Sequence, residues 1–547
     1  MHERNDSSHT SGVTTPVWYA DARVPQRGRL ERDAHADVCV VGAGIAGITV
    51  AYLLARHGKS VIVLDEKPVA GGETGRTSAH LASAIDDRFV HIERHLGADA
   101  ARIQYESHAA AIDFIERVVR EEGIECGFAR LDGLLFQDAL RSGPALDEEC
   151  AAARRAGFLG VELQGRAPTI GFAAAPCLRF PRQARFHPLQ YIVQLAAVAE
   201  KLGVRICCGT RVMDLTGDDG VVAKLADGVR VTANFGVAAT NVPSPINNWM
   251  GVYTKQVAYR TFMISLELPR GGVTDALYWD TADPYHFVRV HKTIRDGKES
   301  EMLLVGGEDH RVGVAEESDA QPHAAFDRLE RWAREHFMPE RGLGKVVDRW
   351  SGQVVEPNDG VAFIGRVPSS GHSACFVITG DSGMGLTGGT LGALLVCDLI
   401  VRGGPGRRDE QVNRWATLYS PTRKPFHSLG TAVEFAKENA AAAGHFLDYL
   451  KKSERSRPEE IPLGSGAVLN RGTHKIACYR DEKGRVHECS AVCTHLKCVV
   501  HWNQIEKSWD CPCHGSRFDA FGKVLMGPAI DDLPPVASTS GASTNAS

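Results

Sequence analysis

Apolar runs of strand length, broken by stretches of helical period, mark the first part of the chain. Val38-Cys39-Val40-Val41 reads as a strand buried on both faces, Ile48–Arg56 as a helix stopped by Gly58, and Ser60–Leu64 as the strand after it. A long amphipathic pattern over about Ala98–Glu122 predicts a helix, and Leu134–Gln137 a strand. Cys375–Thr379 is a further apolar strand, followed by a helix over Thr390–Val401. Leu429, Val433, Ala436, Ala440, Ala443, Leu447 and Leu450 recur at steps of four and three, one apolar stripe on a helix expected to pack against the body of the protein. Near the C-terminus the pattern changes to short strands, Ala467–Leu469, Lys475–Tyr479 and Val486–Cys489, with a hairpin turn at Asp481-Glu482-Lys483-Gly484.

Chemistry enters at the loops between these elements. Gly42-Ala43-Gly44-Ile45-Ala46-Gly47 joins the first strand to the first helix, a GxGxxG in the context that gives it meaning. Its glycines permit a tight turn and close approach of backbone N–H groups to a pyrophosphate at the positive end of the helix. Asp65, at the end of the next strand, is the candidate acid for both ribose hydroxyls, and its charge disfavours a 2′-phosphate. Glu66 is a stand-in whose side chain belongs to the opposite face. A second match, Gly383-Met384-Gly385-Leu386-Thr387-Gly388, has no acidic strand end after it, because the chain runs into Gly403-Gly404-Pro405-Gly406.

Two boxes near the C-terminus each carry one Cys and one His at ligand spacing: Cys493-Thr494-His495-Leu496-Lys497-Cys498 and Cys511-Pro512-Cys513-His514-Gly515-Ser516. A zinc site also takes two Cys and two His, but its spacings group like ligands together. A Rieske 2Fe–2S centre needs this mixed set, thiolates on one iron and imidazoles on the other.

The boxes resemble those of Rieske proteins, down to Thr494, Leu496, Pro512, Gly515 and Ser516. That resemblance implies Cys493 and Cys511 on one iron, His495 and His514 on the other, and a disulfide between Cys498 and Cys513. It covers about Ile461–Leu533 and implies a small all-β domain, with Gly527-Pro528-Ala529 as the loop covering the cluster. Two positions depart from the family: Lys497 stands where Gly is expected, and Phe518 where a Tyr donates to the cluster. With Ser516 the remaining donor, the expected potential lies within the family's range of roughly −150 to +300 mV but below its top.

The first part resembles D-amino-acid-oxidase-type (DAO) flavoproteins over about Asp37–Arg402, which implies FAD as the dinucleotide. The resemblance rests on Gly71-Gly72-Glu73-Thr74-Gly75-Arg76-Thr77-Ser78, on Arg185-Phe186-His187-Pro188 opening a helix to about Leu202, and on strands at Val204–Cys207, Thr210-Arg211-Val212 and Val237–Thr240. Trp350-Ser351-Gly352 and Pro357-Asn358-Asp359-Gly360 with Ile364-Gly365 complete it. It implies cofactor contacts at Gly42, Gly44, Ile45, Ala46, Gly47, Asp65, Glu66, Arg76, Thr77, Val212, Gly383, Met384, Gly385 and Thr387. The Gly383 segment would close the site with a helix N-terminus facing the flavin.

The implied fold is an α/β, Rossmann-like (glutathione-reductase-type) FAD domain with an α+β substrate domain, plus the small all-β Rieske domain. The expected layout is a disordered lead-in over 1–36, the oxidoreductase over 37–405, a helical connector and linker over 406–460, the Rieske domain over 461–535 and a disordered tail over 536–547. Within 37–405, FAD-binding parts (about 37–86, 185–245 and 350–405) alternate with substrate parts (about 87–184 and 246–349). The charged linker Ser453–Glu460 is short, spanning roughly 15 Å if flexible.

Bulk properties narrow the rest. At 547 residues with 43% hydrophobic content the chain can bury several domains. A net charge of −5 and a pI near 6.5 argue against nucleic acid as a partner. Apolar runs fall short of membrane-spanning length and Met1–Thr15 is polar, a pattern that predicts a cytoplasmic enzyme. Most of the fourteen cysteines outside the boxes sit in apolar strands as small hydrophobes.

Together these parts describe an FAD-dependent oxidoreductase that moves electrons between a small organic substrate and an external one-electron carrier of ferredoxin, cytochrome or quinone type. The substrate class implied by the DAO resemblance is an amine or amino acid oxidised at its C–N bond. Two alternatives are an oxidase using dioxygen directly and a non-catalytic redox carrier or sensor. At the substrate face, Tyr285 and His310 are the catalytic candidates, His310 as a base near neutral pH. Arg260 and Arg289 are candidates for a substrate carboxylate, and His80 for a covalent flavin link.

Overall fold

The computed structural model describes residues 10–137, 145–172, 176–242, 244, 251–295, 297–313, 323–367, 372–404, 407–424 and 429–536. The chain forms two compact units, one of residues 1–310 and 323–438, the other of residues 311–322 and 439–547.

The first unit is built on two sheets. In one, strands run in the order Phe363–Arg366, Cys375–Thr379, Arg230–Asn241, Ala34–Val41, Val61–Leu64, Arg205–Cys207. From Cys375–Thr379 inward the pairings are parallel. Buried on both faces, these strands divide their side chains by period two: Val38, Val40, Val61 and Val63 join the core under the helices, while Cys39, Val41, Ile62 and Leu64 join a second core beneath Leu215, Val221 and Leu225. The free cysteines Cys39, Cys207 and Cys375 are small buried hydrophobes of that second core.

Helices Ile45–Arg56 and Gly385–Arg402 pack against each other so closely that a Cβ on Gly389 would lie 3.0 Å from Ile45 Cγ2. Gly385–Arg402 is long and apolar enough to cross a membrane, contrary to the reading that no run has that length, and most of it is buried in this core.

The second sheet runs Val346–Pro357, Gln256–Leu268, Lys298–Arg311, His286–Arg295, Leu277–Asp280, Ala129–Phe136, Cys177–Arg185, His80–Leu81. Helix Ala324–His336 covers one face, with Phe326 against Phe262 and Trp332 stacked on His286.

The lead-in, expected to be disordered, is packed from residue 10 onward; residues 1–9 lie outside the described residues. Trp18 is fully buried and donates its indole N–H to the Thr77 carbonyl. Asp21 accepts from His187 Nε2 at 2.8 Å and from the Thr293 hydroxyl. The segment is polar, but its few apolar side chains and its acceptors meet partners far along the chain, which local composition does not reveal.

The second unit carries a sheet of three strands (Ser465–Arg471, His474–Arg480, Val486–Ser490) and one of four (His501–Asn503, Ser508–Asp510, Arg517–Asp519, Val524–Met526). Their shared core contains Trp502, Trp509, Phe518 and the four box cysteines. Residues 453–460, expected as a flexible linker, are tied to this domain: Glu454 N–H donates to Val468 O, Val468 N–H to the Glu454 carboxylate, and Asn470 N–H to Ser453 Oγ.

The apolar stripe of the connector helix does not pack as expected. Val433 is 58% exposed, Leu447 64% and Leu450 83%, and the stripe alanines between them face solvent too. The Leu429 side chain lies outside the described residues, as does the tail over 537–547. Among its described side chains the helix buries Thr431 and Glu438, with Asp448 buried in the turn after it.

Candidate functional site

The glycine loop is shaped by steric need. Gly42 has φ +108°, and a Cβ there would lie 2.3 Å from Ala239 O. A Cβ on Gly47 would lie 1.9 Å from Gly42 O, so helix and strand could not close. The Ile45 N–H, at the open end of the helix, donates to Thr74 Oγ1. Asp65 accepts from Ala43 N–H at 2.6 Å and Lys67 N–H at 2.7 Å, which ties the second strand end to the glycine loop. Burial raises the Asp65 pKa against these bonds. Glu66 is exposed, with Arg211 Nε 3.8 Å from its carboxylate, as its opposite orientation requires. Val212 opens the strand Val212–Thr216, two residues after Thr210, whose N–H donates to Asp65 O.

The Arg76 guanidinium is held by backbone carbonyls and hydroxyls. It is buried and donates to Ser351 O, Thr14 O and the hydroxyls of Thr10 and Thr14, locking the lead-in onto the sheet. Thr77 offers its carbonyl to Trp18 and its hydroxyl to the Ala79 N–H. Thr387 is buried under its helix, bonded to His108 Nδ1 at 2.8 Å.

The Gly383–Gly385 turn is where cofactor and substrate elements meet. A Cβ on Gly383 would lie 2.1 Å from Asp86 Oδ2 and 3.6 Å from Tyr285 Oη. Tyr285 donates to Asp86 Oδ2 at 2.9 Å. Ser382 donates to Asp87 at 2.7 Å, and a Cβ on Gly385 would lie 2.9 Å from Asp381 Oδ2. Met384 sits at the N-cap position of the closing helix.

Asp309 and Glu356 face the same group electrostatically. Burial pushes Asp87, Asp309 and Asp381 up to about 7. Glu356 is raised well above the carboxylate range, by burial and then by Asp87, Asp309, Asp86 and Asp381. Burial and the Asp86 charge push the Tyr285 phenol well up as well.

The two catalytic candidates are not brought together. The His310 ring lies over Phe262 at 5.2 Å, on the side covered by helix Ala324–His336. Its neighbour Asp309 points the other way, toward Thr261 and Asp86. Adjacent strand residues face opposite sides of a sheet, so a shift of one position exchanges a histidine for a carboxylate.

Arg260 is buried and donates to Ser351 Oγ. Arg289 donates to Ala79 O and Phe186 O. Both ring nitrogens of His80 are engaged, Nδ1 with Ser78 Oγ and Nε2 with Val288 O, which weighs against a covalent flavin link there. Asp86, Asp87, Glu356 and Asp381 escape a reading of the sequence; the one local signal is a pair of acids, Asp86-Asp87, directly after an apolar stretch.

In the second unit the boxes converge. The rings of His495 and His514 stand 5.2 Å apart, nearly perpendicular. Burial lowers both imidazoles to about 4, with His495 adding to the effect at His514, so both are neutral, the metal-binding form. Cys493 and Cys511 are buried free thiols hydrogen-bonded to each other, a bond that lowers Cys493 and, with burial, raises Cys511. Backbone N–H groups of His495 and Leu496 face Cys493, and those of Cys513 and His514 face Cys511. Two thiols beside two neutral imidazoles, with amides aimed at sulfur, fit a 2Fe–2S group.

Cys498 and Cys513 form a disulfide that joins the two loops. Cys511 also lies close to that pair, but the disulfide leaves Cys498 and Cys513 no thiolate for a metal. The Ser516 hydroxyl accepts the Ala529 N–H from the covering loop and bonds Cys493. Phe518, fully buried, brings no donor. The segment 311–313 belongs to this unit, where a Cβ on Gly313 would lie 2.8 Å from Pro512 N.

Comparison with known proteins agrees with this division. Residues 37–399 match the family model of the DAO-type FAD-dependent oxidoreductases, and residues 454–537 that of the Rieske [2Fe-2S] domain. A putative Rieske 2Fe-2S iron-sulfur protein of Bacillus subtilis, YhfW, is 27% identical over 95% of this chain and 97% of its own length. The cytochrome b6-f iron-sulfur subunit of Synechococcus elongatus is 41% identical over 110 residues, covering 20% of this chain and 57% of that protein.

Among solved structures, glycine oxidase from Geobacillus kaustophilus aligns with a TM-score of 0.53 and 18% identity over 72% of this chain and 99% of its own. L-amino acid deaminase from Proteus myxofaciens aligns with a TM-score of 0.55 and 15% identity over 73% of this chain and 96% of its own. The chain belongs to the DAO family of FAD-dependent oxidoreductases and carries a C-terminal Rieske [2Fe-2S] domain.

Proposed function

We propose that this enzyme is a dehydrogenase that oxidises the C–N bond of an amine or amino acid and delivers the electrons through its Rieske domain to an external one-electron carrier. The observation that carries the reading is the presence, on one chain, of a complete Cys2His2 cluster set and of a cofactor turn lined by titratable groups suited to amine chemistry. The bound flavin supplies acceptance of an electron pair from an organic substrate and release one electron at a time, and the cluster supplies single-electron carriage.

The residues proposed to hold FAD are Gly42, Gly44, Ile45, Ala46, Gly47 and Asp65 at the dinucleotide, with Gly383, Met384 and Gly385 at the reacting end. Arg76, Thr77, Glu66, Val212 and Thr387 support that frame. Cys493, His495, Cys511 and His514 are the proposed iron ligands.

An alkylammonium must lose a proton before its C–N bond can be oxidised. Asp87 and Asp309, raised to about 7, are acceptors matched to neutral pH. Tyr285 keeps its proton on the bond to Asp86 Oδ2 and holds that carboxylate toward the turn.

A Cys511→Ser variant separates the two halves. Anaerobic amine should still bleach its flavin absorbance, while reduction of a one-electron acceptor should stop. Acceptor reduction surviving at the unmodified rate would contradict the proposed route, and amine-dependent oxygen consumption unchanged in the variant would favour direct reaction of the flavin with dioxygen.

A further inference from the structure

Thr74 stands at the open end of the glycine-loop helix. Its Oγ1 takes the Ile45 N–H at 3.1 Å, and a Cβ on Gly44 would lie 3.0 Å from the same oxygen. The charged residues that flank it, Glu73 and Arg76, are held from the lead-in. Ser11 is fully buried and donates to Glu73 Oε1 at 2.7 Å. Arg76 Nη1 donates to Thr10 Oγ1 at 3.2 Å and to Thr14 O at 2.9 Å, and Nη2 donates to Thr14 Oγ1.

The lead-in is fastened in two different ways. From Pro16 onward apolar burial takes part. Val17 is 1% exposed and Trp18 0%, the Trp18 ring meets those of His187 and His291 edge-on, and Asp21 accepts from His187 and Thr293. Over residues 10–15 the hold is polar. Val13, the large apolar side chain of that stretch, is 44% exposed, and Thr15 faces solvent. Apolar burial is lost outright when a segment lifts, whereas hydrogen bonds are largely replaced by bonds to water. The first stretch can therefore open while the second stays closed.

We infer that residues 10–15 are a strap over the cofactor loop, hinged at Pro16, that opens to admit or release FAD and sets how long the enzyme keeps its flavin. The inference rests on the FAD contacts proposed at Gly44 and Ile45, and on no property of the substrate. Closed, the strap holds Glu73 and Arg76 and so keeps Thr74 at the helix end, where a pyrophosphate is favoured. Open, it withdraws the lead-in's bonds from both charged side chains and loosens the loop between them.

The test uses the FAD- and cluster-loaded protein. Amides of residues 10–15 should exchange hydrogen at least tenfold faster than those of residues 17–21. Displacement of bound FAD by isotopically labelled FAD is followed by mass spectrometry. Ser11→Ala/Thr14→Val removes two hydroxyls bonded to a carboxylate and a guanidinium. It should speed exchange at residues 10–15 and FAD displacement by the same factor, at least tenfold, with residues 17–21 unchanged.

Equal protection of the two stretches in the parent would overturn the inference. So would faster exchange at residues 10–15 with FAD displacement unchanged. Failure of the underlying FAD placement is a separate observation, FAD displaced from Gly44→Ala no faster than from the parent, and it would remove the ground for the strap as well.

Discussion

Tyr285 donates a 2.9 Å hydrogen bond to Asp86 Oδ2 beside Gly383, so a phenol of the substrate sheet orients a carboxylate at the N-terminus of the closing helix. Tyr285→Phe removes that donor and leaves Asp86 more basic, because the bond now lowers a pKa that burial raises. A charge-assisted bond of about 1.5–3 kcal/mol corresponds to a loss of roughly ten- to hundredfold in the rate of flavin reduction by an amine. The acid limb of the pH–rate profile should move to higher pH, since Asp86 must ionise to hold a cation. Stopped-flow bleaching across pH 6–9 checks both effects.

Phe518 occupies the place of a second donor to the cluster. Phe518→Tyr adds one neutral hydrogen bond that favours the reduced, more negative cluster by about 1 kcal/mol, and so raises its potential by some tens of millivolts. Ser516→Ala should lower it by a similar amount, because Ser516 bonds Cys493. Protein-film voltammetry of the three proteins reads the order directly.

His501 donates to Asp448 at 3.0 Å, and Lys451 and His445 share that carboxylate. Burial pulls the His501 pKa down, but its bonds to Asp448 and Glu454 outweigh this and bring it to about 9. A folded value above the ordinary one means that the pair's contribution is fully present below about pH 6.5 and fades as pH rises through 9. Asp448→Asn should cost on the order of 2 kcal/mol at pH 6 and flatten the decline between pH 7 and 9. Urea denaturation followed by cluster absorbance is the measurement.

Much of this architecture could be read from residue pattern alone. Both cofactor sets announce themselves because their chemistry needs particular residues at short, fixed spacings: glycines where a Cβ would meet Ala239 O or Gly42 O, and Cys with His in each box. What could not be read depends on contacts between distant segments. Arg76 stands in the Gly71–Ser78 segment that resembles a flavin-contacting loop, yet its guanidinium is tied to Thr14 and Ser351. Asp309 and His310 differ by one position and by a whole sheet face. Trp18 lies in a polar lead-in that composition assigns to disorder, and its burial is decided by Thr77 and Arg289.

Trp18→Ala should therefore destabilise the first unit by about 3–5 kcal/mol, the effect of emptying a buried aromatic site. A disordered lead-in would show no change. Thermal unfolding monitored by flavin fluorescence distinguishes the two.

The disulfide Cys498–Cys513 closes a loop with a sequence separation of 15. Chain entropy assigns such a link about 3 kcal/mol. A Cys498→Ala/Cys513→Ala double variant should lose its iron at lower urea concentration than the parent, with its flavin reduction by amine unchanged.

Electrons from an amine should reach the C-terminal cluster. The oxidised, fully loaded protein is mixed with an amine under anaerobic conditions, and samples are frozen for EPR as the flavin absorbance falls. A Rieske-type signal should grow as the flavin bleaches and should be lost in Cys511→Ser. Flavin that bleaches fully while the cluster stays oxidised and EPR-silent would rule this electron route out.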